Sequence, residues 1–129
     1  MHIEHVAIWT RDPERLRSFY ETYFDAVAGP RYENPRKQFM SYFLSFRSGA
    51  RLELMSVPTL REDNGGAQPP AIGYAHLAMT VGDESSVDAL TERLRADGYR
   101  VLDGPRRTGD GYYESVIADP DGNRIEITA

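Results

Sequence analysis

Hydrophobic and polar residues alternate along this chain in two stretches that repeat each other. His5–Ile8 aligns with His76–Met79 at an offset of 71 residues, and Arg51–Leu54 aligns with Arg124–Ile127 at an offset of 73. Alternation with a period of two residues predicts β-strands that have one buried face. Because the agreement occurs at both ends of each half, the pattern predicts a duplicated module rather than a chance match.

Between these strands, each half carries one amphipathic helix. Asp12 followed by Pro13 is a typical helix start, and Leu16, Phe19, Tyr20, Tyr23 and Phe24 then recur at helical spacing. The second helix has Val87, Leu90 and Leu94 on its apolar stripe, Gly98 just past its end, and Asp83, Ser85 and Ser86 as competing N-caps.

The remaining segments predict strands and turns, and we interpret each half as a β-α-β-β-β module. The predicted strands are Ile3–Thr10, Phe39–Phe46, Arg51–Val57, Tyr74–Val81, Tyr99–Leu102, Tyr112–Ala118 and Arg124–Thr128. Residues 119–123, Asp-Pro-Asp-Gly-Asn, predict the turn before the last strand. We therefore expect an α+β fold in one domain over residues 1–129, with module one at 1–57, a Gly- and Pro-rich linker at 58–72, and module two at 73–129.

Charge and cysteine content narrow the possible functions. The 129 residues include 15 Lys plus Arg, 20 Asp plus Glu and no cysteine, which gives a formal charge of −5. An acidic chain is a poor match for nucleic acid or an anionic membrane, and a metal in it must be held by His, Asp or Glu. No apolar run is long enough to span a membrane, and the first residues lack the features of a signal peptide, so we expect a cytoplasmic protein.

Strand alternation places four candidate ligands on the strand faces that point away from the helices. The aliphatic positions of the four repeated strands should pack under the helices, and the opposite faces then carry His5, Glu53, His76 and Glu126. Each of these residues alone is more often an ordinary strand residue than a ligand. Together, a His at the start and a Glu at the end of both modules predict a site for one divalent ion such as Ni, Co, Zn or Fe.

On these motifs the chain resembles the vicinal oxygen chelate superfamily, which includes glyoxalase I. The most specific matches are residues 119–126, residues 73–78, and the opening His5 strand with Asp12-Pro13 and Phe19-Tyr20. The resemblance implies tandem βαβββ modules that form a curved, eight-stranded mixed sheet around a metal-binding cavity. The order His, Glu, His, Glu is similar to that of bacterial glyoxalase I proteins, which are homodimers with sites shared between subunits. The sequence leaves open whether the site closes within one chain or across a dimer.

The same resemblance implies an enzyme that acts on a small-molecule substrate. It would be a lyase of the lactoylglutathione lyase type, which isomerises the hemithioacetal of a 2-oxoaldehyde and a thiol through an enediolate. By resemblance, Glu126 is the base that moves the proton, and Glu53 is the partner carboxylate.

Two positions depart from that family pattern. Trp9 stands where glyoxalase I proteins usually have an Arg that contacts glutathione, and Val57 stands where they usually have an Asn. These replacements favour a more apolar or aromatic ligand, although a lone Trp can equally be a core residue. Arg106 and Arg107, in a predicted loop that ends at Tyr112, are further candidate substrate contacts, with an ordinary solvated hairpin as the alternative.

Three other functions remain open from the sequence. A binding protein of the bleomycin-resistance type would not need the four ligands. A thiol transferase of the fosfomycin-resistance type would use His5, His76 and Glu126 but leave Glu53 unexplained. An extradiol dioxygenase also uses two His and one Glu, usually in a longer chain.

Overall fold

The structure is a computed structural model that describes residues 1–61 and 73–129. The chain divides into two compact units, residues 1–65 and residues 66–129. The described residues form nine strands and two helices. The predicted α+β class of tandem modules is confirmed.

The first unit is a mixed sheet with one helix on it. Its elements are β1 (His5–Trp9), α1 (Pro13–Phe24), β2 (Val27–Ala28), β3 (Tyr32–Asn34), β4 (Phe39–Ser45) and β5 (Arg51–Ser56). The strand order is β1-β5-β4-β2, with β3 also paired to β4, and β1 runs parallel to β5. In that pairing Ala7 lies opposite Glu53 and Trp9 opposite Met55.

Helix α1 begins where the sequence predicts. The Asp12 side chain accepts a hydrogen bond from the Arg15 backbone N–H at 2.9 Å, and Pro13 occupies the first turn. The apolar stripe of α1 is buried against the aliphatic face of β4 and β5; the fully buried members of this core include Leu16, Tyr20, Leu44 and Leu54. Burial of that face fixes the register, because a one-residue slip would turn Leu54 outward and Glu53 inward.

The second unit repeats this plan with fewer strands. Its elements are β6 (Leu77–Thr80), α2 (Glu84–Ala96), β7 (Val101–Arg107), β8 (Tyr113–Ala118) and β9 (Arg124–Thr128), in the order β6-β9-β8-β7. Asp83 is the N-cap of α2 and accepts from the Ser86 backbone N–H at 2.8 Å. The helix packs on a core that contains Ile117, Ile125 and Ile127, all fully buried.

The structure differs from the predicted elements in three respects. The described strands form a five-stranded sheet in the first unit and a four-stranded sheet in the second, where the prediction had eight strands in one sheet. Strands β2 and β3 are too short to show a period in the sequence. Strand β7 runs on to Arg107 rather than ending at Leu102, because Arg106 and Arg107 pair with Glu114 and Tyr113 of β8. Most of the predicted linker, from residue 62 to residue 72, lies outside the described residues.

Neither helix is long and apolar enough to cross a membrane, within the part of the chain that the structure describes.

Candidate metal centre

Each unit brings one predicted His and one predicted Glu together. In the first unit, β1 and β5 are adjacent and parallel, so that His5 and Glu53 project from neighbouring strands on the face away from α1. The His5 Nε2 atom lies 3.8 Å from Glu53 Oε2. The His5 side chain is 41% exposed and that of Glu53 is 14% exposed, so the pair lies at an accessible surface of the sheet.

The second unit repeats the pair with a shorter contact. His76 lies immediately before β6, and its Nε2 atom is 3.1 Å from Glu126 Oε2 on the adjacent β9. The two side chains are 39% and 22% exposed. Both pairs therefore combine an imidazole nitrogen and a carboxylate oxygen on the open face of a sheet.

The turn before β9 is held together by a buried carboxylate. The Asp119 carboxylate, in a residue only 4% exposed, accepts hydrogen bonds from the backbone N–H groups of Asp121 and Asn123, both at 2.9 Å. It also accepts from the side-chain amide of Asn123 at 2.8 Å. Burial raises the pKa of Asp119, and these hydrogen bonds act in the opposite direction. The sequence identifies the turn, but the burial of its first carboxylate is a finding of the structure.

Glu4 contacts the candidate ligand His5, and sequence reasoning missed it. Its Oε2 atom lies 2.5 Å from His5 Nδ1, and its other carboxylate oxygen is paired with Arg51. Hydrogen bonds from His5 and Arg51 lower the pKa of Glu4. A carboxylate next to a candidate histidine ligand was visible in the sequence as Glu4-His5, but strand alternation argued that adjacent side chains point apart.

The same open face of the first unit carries a row of aromatic rings. Trp9 is 51% exposed and meets the ring of Phe39 edge to face, with centroids 6.3 Å apart. Phe39 also contacts Tyr32 at 6.1 Å. Trp9 is therefore a surface residue on the side of Glu53, and the core-packing alternative for it is wrong. Val57 follows the end of β5 and is half-buried.

The equivalent row of the second unit is polar. Thr80 lies opposite Thr128, which lies opposite Glu114, which in turn lies opposite Arg106. The corresponding row of the first unit begins with Trp9 and Met55. The two modules thus share the His and Glu positions and differ in what surrounds them.

The two arginines of the predicted loop separate onto opposite faces. Arg106 lies on the face of Glu126 and is held by Asp103, whose carboxylate oxygen is 2.7 Å from Arg106 Nε. Arg107 instead pairs with Glu84 at the start of α2 and donates to the Gly111 carbonyl at 3.1 Å. The prediction of both as loop residues is wrong, because the β7–β8 ladder includes them. Tyr112 precedes β8 and is 58% exposed.

The donor chemistry of each pair fits half of a divalent metal site. Imidazole and carboxylate are the ligand types that Zn, Ni, Co and Fe accept, and two of each would balance the charge of the ion. Among residues 1–61 and 73–129, no cluster of three or more His, Asp or Glu side chains is assembled. Each unit by itself therefore brings together two of the four candidate ligands.

Comparison with known proteins places the chain in a family. Residues 2–127 match the model of the Glyoxalase/Bleomycin resistance protein/Dioxygenase superfamily, and the chain belongs to that superfamily. The uncharacterized protein YqjT of Bacillus subtilis (strain 168) is 41% identical over 61 residues, which are 45% of this chain and 48% of that protein.

Solved structures of glyoxalase I share the fold. A V278E mutant of glyoxalase I from Zea mays matches 98% of this chain with a TM-score of 0.79 and 21% identity, and this chain spans 44% of its length. The trypanothione-dependent glyoxalase I of Leishmania major matches 99% of this chain and 86% of its own, with a TM-score of 0.74 and 22% identity. At these identities the likeness concerns the fold.

Proposed function

We propose that this protein is a divalent-metal-dependent lyase or isomerase of the glyoxalase I type. The observation that carries the proposal is the repetition of one His–Glu pair at equivalent strand positions of both units. Burial against the helices explains the aliphatic faces of these strands. It gives no reason for an imidazole and a carboxylate to recur on the open faces. The fold shared with glyoxalase I structures supports the same assignment.

In this proposal His5, Glu53, His76 and Glu126 hold one ion of Ni, Co, Zn or Fe. Since each unit offers two ligands, the four-ligand set needs both modules, and we propose a homodimer with sites shared between subunits. When bound, the ion supplies Lewis-acid stabilisation of the negative charge that develops on the substrate oxygens.

Glu126 is the proposed base for proton transfer. It would remove the C1 proton of a 2-oxoaldehyde–thiol hemithioacetal and return it to C2. The reaction would pass through an enediolate to the thioester product, and no oxidant would be consumed. The Glu126 side chain is more exposed than that of Glu53, at 22% against 14%. The less exposed Glu53 is the partner carboxylate.

The surroundings of the first pair support an apolar or aromatic group on the substrate. Exposed Trp9, with Phe39 and Tyr32 beside it, offers ring faces and edges rather than the hydrogen-bond donors that a charged tripeptide needs. We propose that the thiol partner is not glutathione, and that Val57 and Tyr112 add contacts. Arg106 lies on the face of the second pair, whereas Arg107 is turned away from it.

The decisive experiment measures metal content and proton exchange in the same variants. Glu126→Gln should lose C1 proton exchange in deuterated buffer by a factor of about 10²–10⁴ while it still binds the ion. Glu92→Gln is the matched control, because Glu92 lies on α2 and pairs with exposed Arg95. Full exchange in Glu126→Gln contradicts the role of Glu126, and a wild-type chain that binds no divalent ion contradicts the proposed function.

A second candidate function is the sequestration of a small aromatic molecule without chemistry. The exposed aromatic row favours it, since ring stacking alone can bind such a ligand. Dependence on the metal distinguishes the two functions, because a ligand that binds equally well with and without a chelator supports sequestration.

The thiol-transferase alternative makes a different prediction. It expects Glu53→Gln to leave activity intact, since Glu53 has no role in that reaction.

A further inference from the structure

The two candidate histidine ligands have different hydrogen-bonding environments. The Nδ1 atom of His5 lies 2.5 Å from Glu4 Oε2, whereas its Nε2 atom faces Glu53 Oε2 at 3.8 Å. At the position before His76, the second module has Ala75, which has no polar side chain. The repeat therefore conserves the histidine and changes its neighbour.

The Glu4 contact determines which nitrogen of His5 carries the proton. An ionised carboxylate only accepts hydrogen bonds, so a 2.5 Å contact with Nδ1 requires Nδ1–H. In a neutral imidazole the other nitrogen, Nε2, then keeps its lone pair. At 3.8 Å the distance from Nε2 to Glu53 is too long for a hydrogen bond, and the lone pair is available to a metal ion.

The surroundings of Glu4 hold this carboxylate in place. Its second oxygen pairs with Arg51, which lies directly opposite His5 in the β1–β5 register. The Arg51 guanidinium lies 4.2 Å from the centre of the Phe43 ring, and Phe43 meets the His5 ring edge to face at 5.4 Å. The ring of His5 is thus in contact on its edge and at Nδ1, which leaves Nε2 as the free side.

His76 has no equivalent of the Glu4 contact within the described residues. Its Nε2 atom lies 3.1 Å from Glu126 Oε2, but the contact does not have the geometry of a hydrogen bond and therefore does not fix the tautomer of His76. The two histidines thus differ in whether a neighbouring carboxylate fixes their tautomer.

We propose that Glu4 is a positioning residue that fixes His5 as the Nδ1–H tautomer and so presents Nε2 as a ready ligand, whereas His76 has no such positioning carboxylate within the described residues. This inference rests on the proposed function in taking His5 as a metal ligand. A carboxylate that holds a ligating histidine in this way commonly changes metal affinity by 10- to 100-fold.

The first test observes the tautomers directly in the metal-free full chain. Long-range ¹H–¹⁵N NMR at alkaline pH, where imidazole is neutral, distinguishes Nδ1–H from Nε2–H. We expect His5 as Nδ1–H in the wild type. In Glu4→Ala, His5 should move to Nε2–H and His76 should not change. In Glu4→Gln the amide oxygen still accepts from Nδ1, and the wild-type tautomer should persist. A wild-type His5 in the Nε2–H form, or no change in Glu4→Ala, overturns the proposal.

The second test titrates Zn²⁺ and Ni²⁺ into the same variants. We expect Glu4→Ala to bind 10- to 100-fold more weakly, Glu4→Gln to recover most of the loss, and Glu92→Gln to match the wild type. Equal affinities for Glu4→Ala and wild type contradict the effect on metal binding. A wild type that binds neither ion contradicts the proposed function instead, and the NMR result still decides whether Glu4 sets the tautomer of His5.

Discussion

Asp119 is the carboxylate on which the turn before β9 depends, and its removal tests how much that turn contributes to the stability of the fold. In Asp119→Ala three donors lose their acceptor: the backbone N–H groups of Asp121 and Asn123 and the side-chain amide of Asn123. Because residue 119 is only 4% exposed, the space left by the carboxylate is poorly reached by water.

The magnitude follows from these contacts. A hydrogen bond to a charged group contributes about 1.5–3 kcal/mol, and the three share one carboxylate and are not additive. Asp121 is itself exposed, so that its released N–H can bind water. We expect Asp119→Ala to lower the free energy of unfolding by about 3 kcal/mol, which for a chain of this size lowers Tm by roughly 10 °C.

The assay is urea unfolding followed by far-UV circular dichroism, with Glu92→Gln as the control. The exposed Glu92–Arg95 pair should contribute under about 1 kcal/mol. Asp119→Ala within about 0.5 kcal/mol of wild type would refute the view that this carboxylate holds the turn.

The pH dependence of the same residue has a definite sign. Since burial raises the pKa of Asp119 above 3.8, the folded state binds its proton more readily than the unfolded state. The resulting stabilisation is complete below the unfolded pKa and is lost as the pH rises through the folded pKa. Asp119→Asn cannot ionise, so the stability of wild type relative to Asp119→Asn should be greater near pH 4 than at pH 7. A difference that grows with rising pH contradicts this assignment.

Three further predictions concern the second unit and the metal. Thr91 donates to the Val87 carbonyl at 2.6 Å and shares a 2.7 Å hydrogen bond with Ser115. In chemical unfolding, Thr91→Val should therefore lower the free energy of unfolding by about 2 kcal/mol and Ser115→Ala by about 1 kcal/mol. A larger loss for Ser115→Ala than for Thr91→Val contradicts the pairing. Gly104 has φ +74°, and a methyl group there would lie 2.6 Å from the Glu114 carbonyl oxygen. Gly104→Ala should therefore lower the free energy of unfolding by about 2–3 kcal/mol. An unchanged Tm would refute the close approach. A divalent ion at about 100 times its dissociation constant should stabilise the folded chain by about 2.7 kcal/mol and so raise Tm in thermal unfolding. A chelator should reverse this rise in Tm. A Tm that the ion leaves unchanged contradicts a metal site in the native state.

Much of the site could be predicted from the sequence because its main determinants are local. Strand alternation alone placed Leu54 towards the helix and Glu53 away from it, and the same reasoning separated Ile127 from Glu126. The two helix starts were readable because an N-cap carboxylate and the first turn are neighbours in the chain. Among three candidates for the second cap, only the structure selected Asp83.

What the sequence determined by itself is the duplication, the order of the helices and longer strands, and the face on which each His and Glu lies, since these depend on periodicity within short segments. The tertiary structure decided the contacts that depend on pairing between distant segments. It made Arg106 and Arg107 strand residues and decided which of them shares a face with Glu126, because β7 shifts register twice and alternation cannot be counted through it. It exposed Trp9 beside Phe39, buried Asp119, and brought Glu4 onto His5 through Arg51 of a strand almost fifty residues away. Each of these results is set by the side chains that surround a residue, and no local pattern encodes those surroundings.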